Sequence, residues 1–127
     1  MFVSIMDSDL SVDDLDGAAF LAANFPAGAS YLDMAYFAQD VVSDEFPLFN
    51  YGPVENMKKY GQAKPPNVPL ENFKVPVALI NGTSDKLSTI ADVAWLDQKI
   101  SESVVYRGTY ALGHASFGIA KDMTWFS

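Results

Sequence analysis

The protein has 127 residues, of which half are apolar and 19% are charged, and it contains no cysteine. A chain of this length can bury about two-thirds of the surface that it exposes when unfolded, so we expect a packed core. No apolar run approaches the roughly 18 to 20 residues that a membrane helix requires. The lack of cysteine excludes disulfides, thiolate metal sites and a cysteine nucleophile.

Acidic and basic residues are unevenly distributed along the chain. Residues 1–57 carry ten carboxylates and no Lys or Arg, whereas residues 58–127 carry eight basic and six acidic groups. Without a basic stripe to neutralise phosphates, nucleic acid is not an expected partner. The acidic half is interpreted as a solvated face, with electrostatic use by a partner as the alternative. Residues 1–6 have no basic n-region, so no signal peptide is recognised and the compartment stays unknown.

The first part of the chain predicts a helix that begins near Ser11. Ser11 followed three residues later by Asp14 resembles a capping box, and further carboxylates fall in the first turn. Pro26 disfavours a helical conformation at the residue before it. We therefore expect this helix to end near Asn24 and a turn to follow over residues 25–29.

Two further helices are predicted before residue 61. Ser30, with Asp33 three residues later, would cap a helix that ends before Pro47. Its apolar residues recur at the i, i+3, i+4, i+7 spacing of one helix face, and they are Met34, Phe37, Ala38 and Val41. A two-turn helix is predicted over residues 54–60, because Pro53 and Gly61 suit a helix start and a helix end. The proline-rich residues 64–69 are expected to be extended.

The second half predicts a parallel strand, helix, strand unit. Residues 75–80 form a continuous apolar run, which is typical of a strand buried on both faces. Thr89 and Asp92 would cap the following helix, whose inward positions are Val93, Leu96 and Ile100. A second strand is expected within residues 103–112. Such units are right-handed and parallel in nearly all proteins, so the predicted fold class is α/β.

Two ionisable residues follow the predicted strands. Asp85 comes after the first strand and His114 after the second. Active sites in open α/β sheets lie at the carboxyl ends of the strands, which makes the two residues candidates for acid and base chemistry. From residue type and spacing alone, however, such an aspartate is more often a turn or cap residue, and a lone histidine is more often an ordinary surface or core residue.

The residues around this pair carry a family resemblance. The relevant strings are VPVALINGTSDKL at residues 75–87, ADV at 91–93 and GHASF at 113–117, preceded by FPAGAS at 25–30 and YGPVENMKKY at 51–60. In this order and spacing they resemble the acid lipases, the α/β-hydrolase family that includes the gastric and lysosomal lipases. The resemblance extends over roughly residues 12–124.

The resemblance implies a partial α/β-hydrolase. Residues 1–60 would be a helical cap or lid segment, and residues 61–127 the C-terminal part of the core with its last parallel strands. Asp85 matches the acid of a Ser-His-Asp triad and His114 the general base. The family's Gly-x-Ser-x-Gly nucleophile motif does not occur in the sequence, since Ser30, Ser84 and Ser116 lack the flanking glycines. The chain also has His-Ala-Ser-Phe where the family usually has His-Leu-Asp-Phe.

By this resemblance, the chain is expected to be the C-terminal fragment of a triacylglycerol or sterol-ester lipase and to be inactive alone. A lipid ester would be the substrate of the complete enzyme, a missing N-terminal half would be its partner, and neither a cofactor nor a metal is implied. Family members are secreted or lysosomal.

Two alternatives remain open at this stage. The chain could be a non-catalytic module of the same fold that binds lipid or protein, or it could be an unrelated small α/β protein. The hydrolase interpretation requires parallel strands and a carboxylate oxygen of Asp85 about 2.6 to 3.2 Å, or slightly more, from a ring nitrogen of His114. A wide separation of the two side chains would favour an unrelated fold.

Overall fold

A computed structural model of the chain describes residues 3–25 and 27–126. It contains helices and two parallel strands, so the α/β class is confirmed. In chain order the elements are α1 (Val3–Met6), α2 (Leu15–Asn24), α3 (Tyr31–Val41), α4 (Pro53–Tyr60), β1 (Val77–Gly82), α5 (Ile90–Ile100), β2 (Val104–Tyr110) and α6 (Ser116–Ile119). Short 3-10 turns occupy Leu70–Asn72, Ser101–Ser103 and Thr124–Phe126. Among the described residues, no helix is long and apolar enough to cross a membrane.

The chain forms two compact units. The first comprises the described residues of Met1–Pro26 and Glu71–Ser127, and the second is Ala27–Leu70. The first unit therefore joins the N-terminal segment to the strand-bearing half of the chain. The assignment of residues 1–60 to a cap and 61–127 to a core remains a prediction.

The first unit is built around the predicted strand, helix, strand arrangement. β1 pairs with β2 in parallel, from Val77 opposite Val104 to Gly82 opposite Tyr110, with an irregularity after Val77. α5 connects the strands and packs against β1. Its N-terminus has the predicted capping box, in which Thr89 and Asp92 each accept from the other's backbone N–H. Ile100, the last residue of α5, is buried.

The prediction that the first strand is buried on both faces was wrong. β1 begins at Val77 rather than at residue 75, and its first four residues alternate between half-buried and exposed. Ile80, for example, is 46% exposed. Among the described elements, α5 packs against this strand. An apolar run indicates that a strand can be buried on both faces, but burial depends on what covers each face.

The predicted start of α2 was also wrong. Its N-cap is Asp14, whose side chain accepts from the N–H of Asp16. Residues 12–14 are instead held in an antiparallel contact with residues 119–121, which includes the bond from the Asp14 N–H to the Ile119 carbonyl at 2.8 Å. The helix therefore begins only after this contact. Its end at Asn24 was predicted correctly, although Pro26 itself lies outside the described residues.

A small apolar cluster forms the core beside α6. Met6, Ala115 and Ile119 are buried there, and Ala18 and Leu21 of α2 pack against them. The cluster joins the start of the chain to the segment that follows His114. It therefore fixes the N-terminal segment next to the loop that carries the histidine.

The second unit contains α3 and α4. Ser30 caps α3 as predicted, but the helix ends at Val41, six residues before Pro47. Its predicted apolar face is exposed, with Met34, Phe37 and Val41 each more than half accessible. α4 agrees with its prediction and ends at Tyr60; the next residue, Gly61, caps it in the left-handed conformation (φ 73°) that glycine tolerates best.

Asn56 of α4 organises the loops of the second unit. Its side chain is fully buried. Its amide oxygen accepts from the N–H of Tyr51 at 2.9 Å, and its amide nitrogen donates to Asn50 at 2.7 Å and to the Ala63 carbonyl at 2.9 Å. One buried side chain thus satisfies polar groups on both sides of α4.

Candidate active site

The two strands end at the same edge of the sheet, and their pairing continues into the loops that follow. The N–H of Thr83 donates to the Tyr110 carbonyl at 2.8 Å, and the N–H of Ser84 donates to the Leu112 carbonyl at 3.0 Å. The loop after β1 and the loop after β2 therefore lie side by side. Asp85 directly follows Ser84 on the first loop, and His114 follows Leu112 by two residues on the second.

Asp85 and His114 are in contact. The Oδ2 atom of Asp85 lies 3.1 Å from the Nδ1 atom of His114, which confirms the predicted proximity across 29 residues of sequence. The second carboxylate oxygen of Asp85 accepts from the N–H groups of Leu87 and Ser88, both at 2.8 Å. Since the Asp85 side chain is only 4% exposed, these bonds hold its carboxylate in one orientation.

The imidazole of His114 is oriented but accessible. Its side chain is 47% exposed. With Asp85 ionised, Nδ1–H donates to Oδ2 and leaves Nε2 as the ring's proton acceptor. Within residues 3–25 and 27–126, Nε2 makes no hydrogen bond. This arrangement suits a general base that receives a proton from a group brought to its exposed side.

A third carboxylate, which the sequence did not reveal, supports the histidine loop. Asp7 is 2% exposed and accepts from the backbone N–H groups of His114 and Ala115. Burial raises the pKa of the Asp7 carboxyl; the two N–H groups oppose this, and the nearby Asp13 and Asp85 carboxylates add to it. Nothing in the sequence around Asp7 indicates a contact with a residue 107 positions later.

The three serines considered above lie in different local settings. Ser30 serves as the N-cap of α3, and the carbonyl of Ser84 accepts from Ser8. Ser116 is fully buried at the start of α6. In the described part of the chain, no group of three or more His, Asp or Glu side chains is placed to hold a metal ion.

An open cavity of about 450 Å³ lies beside the end of β2. Its lining is mainly apolar and includes Leu112, two residues before His114. The other residues that line it are Val12, Tyr110, Ala111, Ala120, Lys121, Asp122, Thr124 and Trp125.

The fold and the site together define a partial α/β protein with a histidine–carboxylate pair at the carboxyl edge of its parallel strands. No family model matches the chain. The chain is, however, similar to gastric triacylglycerol lipase of Rattus norvegicus, with 37% identity over 123 residues. It is also similar to the human enzyme of that name (33% over 98 residues) and to human lipase member K (30% over 115 residues).

These similarities identify the family. The match to the rat lipase covers 96% of this chain and 30% of that protein, and the match to human lipase member K covers 90% and 28%. The human gastric lipase match covers 76% of this chain and 25% of that protein. The chain belongs to the acid lipase family and spans less than a third of the length of these relatives.

Proposed function

We propose that His114 and Asp85 are the general base and the orienting acid of a Ser-His-Asp lipase of the α/β-hydrolase type. The serine would come from a segment outside these 127 residues. The observation that carries the proposal is the 3.1 Å contact between Asp85 and His114 at the carboxyl edge of two parallel strands. The substrate class is a lipid ester: an acylglycerol, in keeping with the names of the relatives, or a sterol ester, as the family resemblance implies.

The proposed reaction uses Nε2 of His114 twice. First it accepts the proton of the serine hydroxyl while the serine oxygen bonds to the ester carbonyl carbon. It then donates that proton to the departing alcohol as the ester C–O bond breaks and an acyl-serine remains. Nε2 next takes a proton from water as the water oxygen bonds to the acyl carbon, and it returns that proton to the serine oxygen as the acyl–serine bond breaks and the fatty acid leaves. Asp85 stays ionised throughout and stabilises the imidazolium.

The surroundings of the pair support this role. The apolar cavity near Leu112 has a volume in the range of small-molecule sites, and it could receive part of an acyl chain. A non-catalytic binding module is not favoured, because the relatives are lipases by name and because Asp85 and His114, the proposed acid and base, are in contact. The third interpretation, an unrelated small α/β protein, conflicts with this contact and with the family.

The chain alone is expected to hydrolyse neither tributyrin nor long-chain acylglycerols above the buffer rate. A base contributes about 10²- to 10⁴-fold to catalysis, but only when it has a nucleophile to deprotonate. Turnover by the purified chain that disappears in His114→Ala would contradict the statement that the nucleophile lies elsewhere.

A chimaera tests the positive side of the proposal. Residues 1–127 would replace the matched 123-residue segment of the rat gastric lipase, and tributyrin hydrolysis would be measured by titration of released acid. We expect turnover that is abolished in His114→Ala and strongly reduced in Asp85→Asn. Asp92→Asn, which alters a carboxylate at the N-terminus of α5, serves as the control and should retain activity. A folded chimaera whose activity survives His114→Ala would refute the assignment.

A further inference from the structure

The segment around Asp7 touches both loops of the candidate pair. On one side, the N–H of Ser8 donates to the Ser84 carbonyl at 2.9 Å, and the N–H of Lys86 donates to the Met6 carbonyl at 2.8 Å. These two bonds flank Asp85, so that Asp7 and Asp85 lie opposite each other in an antiparallel bridge. The backbone of the Asp85 loop is therefore held directly by residues 6–8.

On the other side, the Asp7 side chain holds the histidine loop. Its two oxygens together accept from the consecutive N–H groups of His114 and Ala115, the latter at 3.1 Å from Oδ2. Gly113 makes this approach possible, since a Cβ atom built there would lie 2.2 Å from the Asp7 carboxyl carbon. The side chain thus fixes the backbone of the residue that carries the imidazole.

We infer that Asp7 is a positioning residue, whose backbone and carboxylate hold the Asp85 loop and the His114 loop at the separation that the hydrogen bond between these two side chains requires. This inference rests on the proposed function, because it assigns Asp7 to the machinery of the same pair. An ionised carboxylate suits the role because it offers two strong acceptor oxygens to two adjacent N–H groups, whereas an amide would offer one. Its burial among Asp13 and Asp85 opposes ionisation, so fold stability alone does not explain a carboxylate here.

The imidazole itself reports on the positioning. His114 is the single histidine of the sequence, so ¹⁵N-histidine labelling gives an NMR spectrum of this one ring. In the unmodified chain we expect the Nδ1–H tautomer and a slowly exchanging Nδ1 proton. In Asp7→Asn we expect tautomer mixing and rapid loss of the Nδ1 proton signal, close to the spectrum of Asp85→Asn. In Asp9→Asn, which changes an exposed carboxylate two residues away, the spectrum should be unchanged.

The result that would overturn the inference is a folded Asp7→Asn chain with the tautomer and Nδ1 proton of the unmodified chain. If Asp7→Asn does not fold, the unmodified chain provides the test. The amide protons of His114 and Ala115 should then shift with pH along the same titration curve as the carboxyl carbon of Asp7. Amide protons that do not follow the titration of the Asp7 carboxyl carbon would equally overturn the inference.

The chimaera separates this inference from the proposed function. There, Asp7→Asn should lower kcat by up to about 100-fold, as expected for a small misplacement of a reacting group, with a much smaller change in KM. Loss of the Nδ1 proton in Asp7→Asn without any ester hydrolysis by the chimaera would contradict the proposed function and leave the positioning role intact. An unchanged imidazole spectrum with normal hydrolysis would contradict the positioning role alone.

Discussion

A Cβ atom built on Gly82 would lie 2.1 Å from the carbonyl oxygen of Leu112, so the last residue of β1 has no room for a side chain where it meets the loop after β2. The same atom would lie 3.2 Å from the ring of Phe117. Asp85 follows Gly82 by three residues and His114 follows Leu112 by two. The close approach of the two backbones is therefore part of what brings the acid and the histidine together.

The substitution Gly82→Ala should destabilise the chain and separate the pair. Overpacking of this kind typically costs about 1 to 3 kcal/mol, since the Leu112 backbone must move away. We expect a lower urea midpoint and loss of the Nδ1 proton signal of His114. Gly118→Ala is the matched control, because nothing lies within 4 Å of the added methyl group. A Gly82→Ala chain with an unchanged midpoint would contradict the close approach.

Asn56→Ala should strongly destabilise the second unit. The substitution removes the partner of the Tyr51 N–H and of the Ala63 carbonyl, and one of the two donors to the Asn50 side chain. Unsatisfied buried groups cost about 1 to 3 kcal/mol each, so we expect a loss of at least about 2 kcal/mol in the free energy of unfolding. Asn67→Ala removes an exposed amide that contacts Glu45. This substitution should change the free energy of unfolding by less than about 0.5 kcal/mol. Equal effects of the two substitutions would contradict this account.

Asp7 should make the stability of the chain depend on pH. Because burial raises its pKa in the folded state, the folded chain binds the proton more tightly than the unfolded chain does. This contribution to stability is present at low pH and is lost as pH rises from the ordinary aspartate pKa through the raised pKa of Asp7. The stability of Asp7→Asn relative to the unmodified chain should therefore rise with pH across this window, as measured by urea unfolding at a series of pH values.

Asp9 provides a control of opposite sign. Hydrogen bonds from Ser11 lower the pKa of the Asp9 carboxyl, so its contribution is present above the ordinary aspartate pKa and is lost as pH falls through the lowered pKa. Asp9→Asn should therefore be less stable than the unmodified chain above this pH range, and the difference in the free energy of unfolding should disappear in acid. If the relative stabilities of Asp7→Asn and Asp9→Asn change with pH in the same direction, the burial of Asp7 does not cause the pH dependence.

The exposed apolar face of α3 should make the isolated chain self-associate. This helix has no buried residue, and Phe37 and Val41 are 58% and 70% exposed. Contiguous apolar surface of this kind favours association, so the sedimentation-average mass should rise with protein concentration. The double substitution Phe37→Lys with Val41→Lys should reduce the effect. Asp33→Lys makes the same change in net charge on the helix and should not reduce it.

Local rules predicted the parts of the fold that depend on nearby residues. The capping box of Thr89 and Asp92 formed as expected, because both partners lie within one helical turn. The proximity of Asp85 and His114 was also predictable, since parallel strands joined by a right-handed crossover bring their following loops to one edge.

Contacts between distant segments were beyond such rules. The start of α2 was displaced by the pairing of Asp13 with Ala120, and the histidine loop is held by Asp7. Neither pairing has a local signal in the sequence, because each joins the first residues of the chain to the last. The burial of a strand face likewise depends on the element that covers it, as the exposure of Ile80 illustrates.

The bonds from Asp7 to the histidine loop also favour one order of assembly. They close a loop of 107 residues, whereas the two strands and their crossover need a far shorter one, and the entropy cost of closure rises with loop length. The βαβ unit can therefore form before the N-terminal segment docks. In native-state hydrogen exchange, the amides of His114 and Ala115 should open with the first residues of the chain, ahead of the strand amides that they follow.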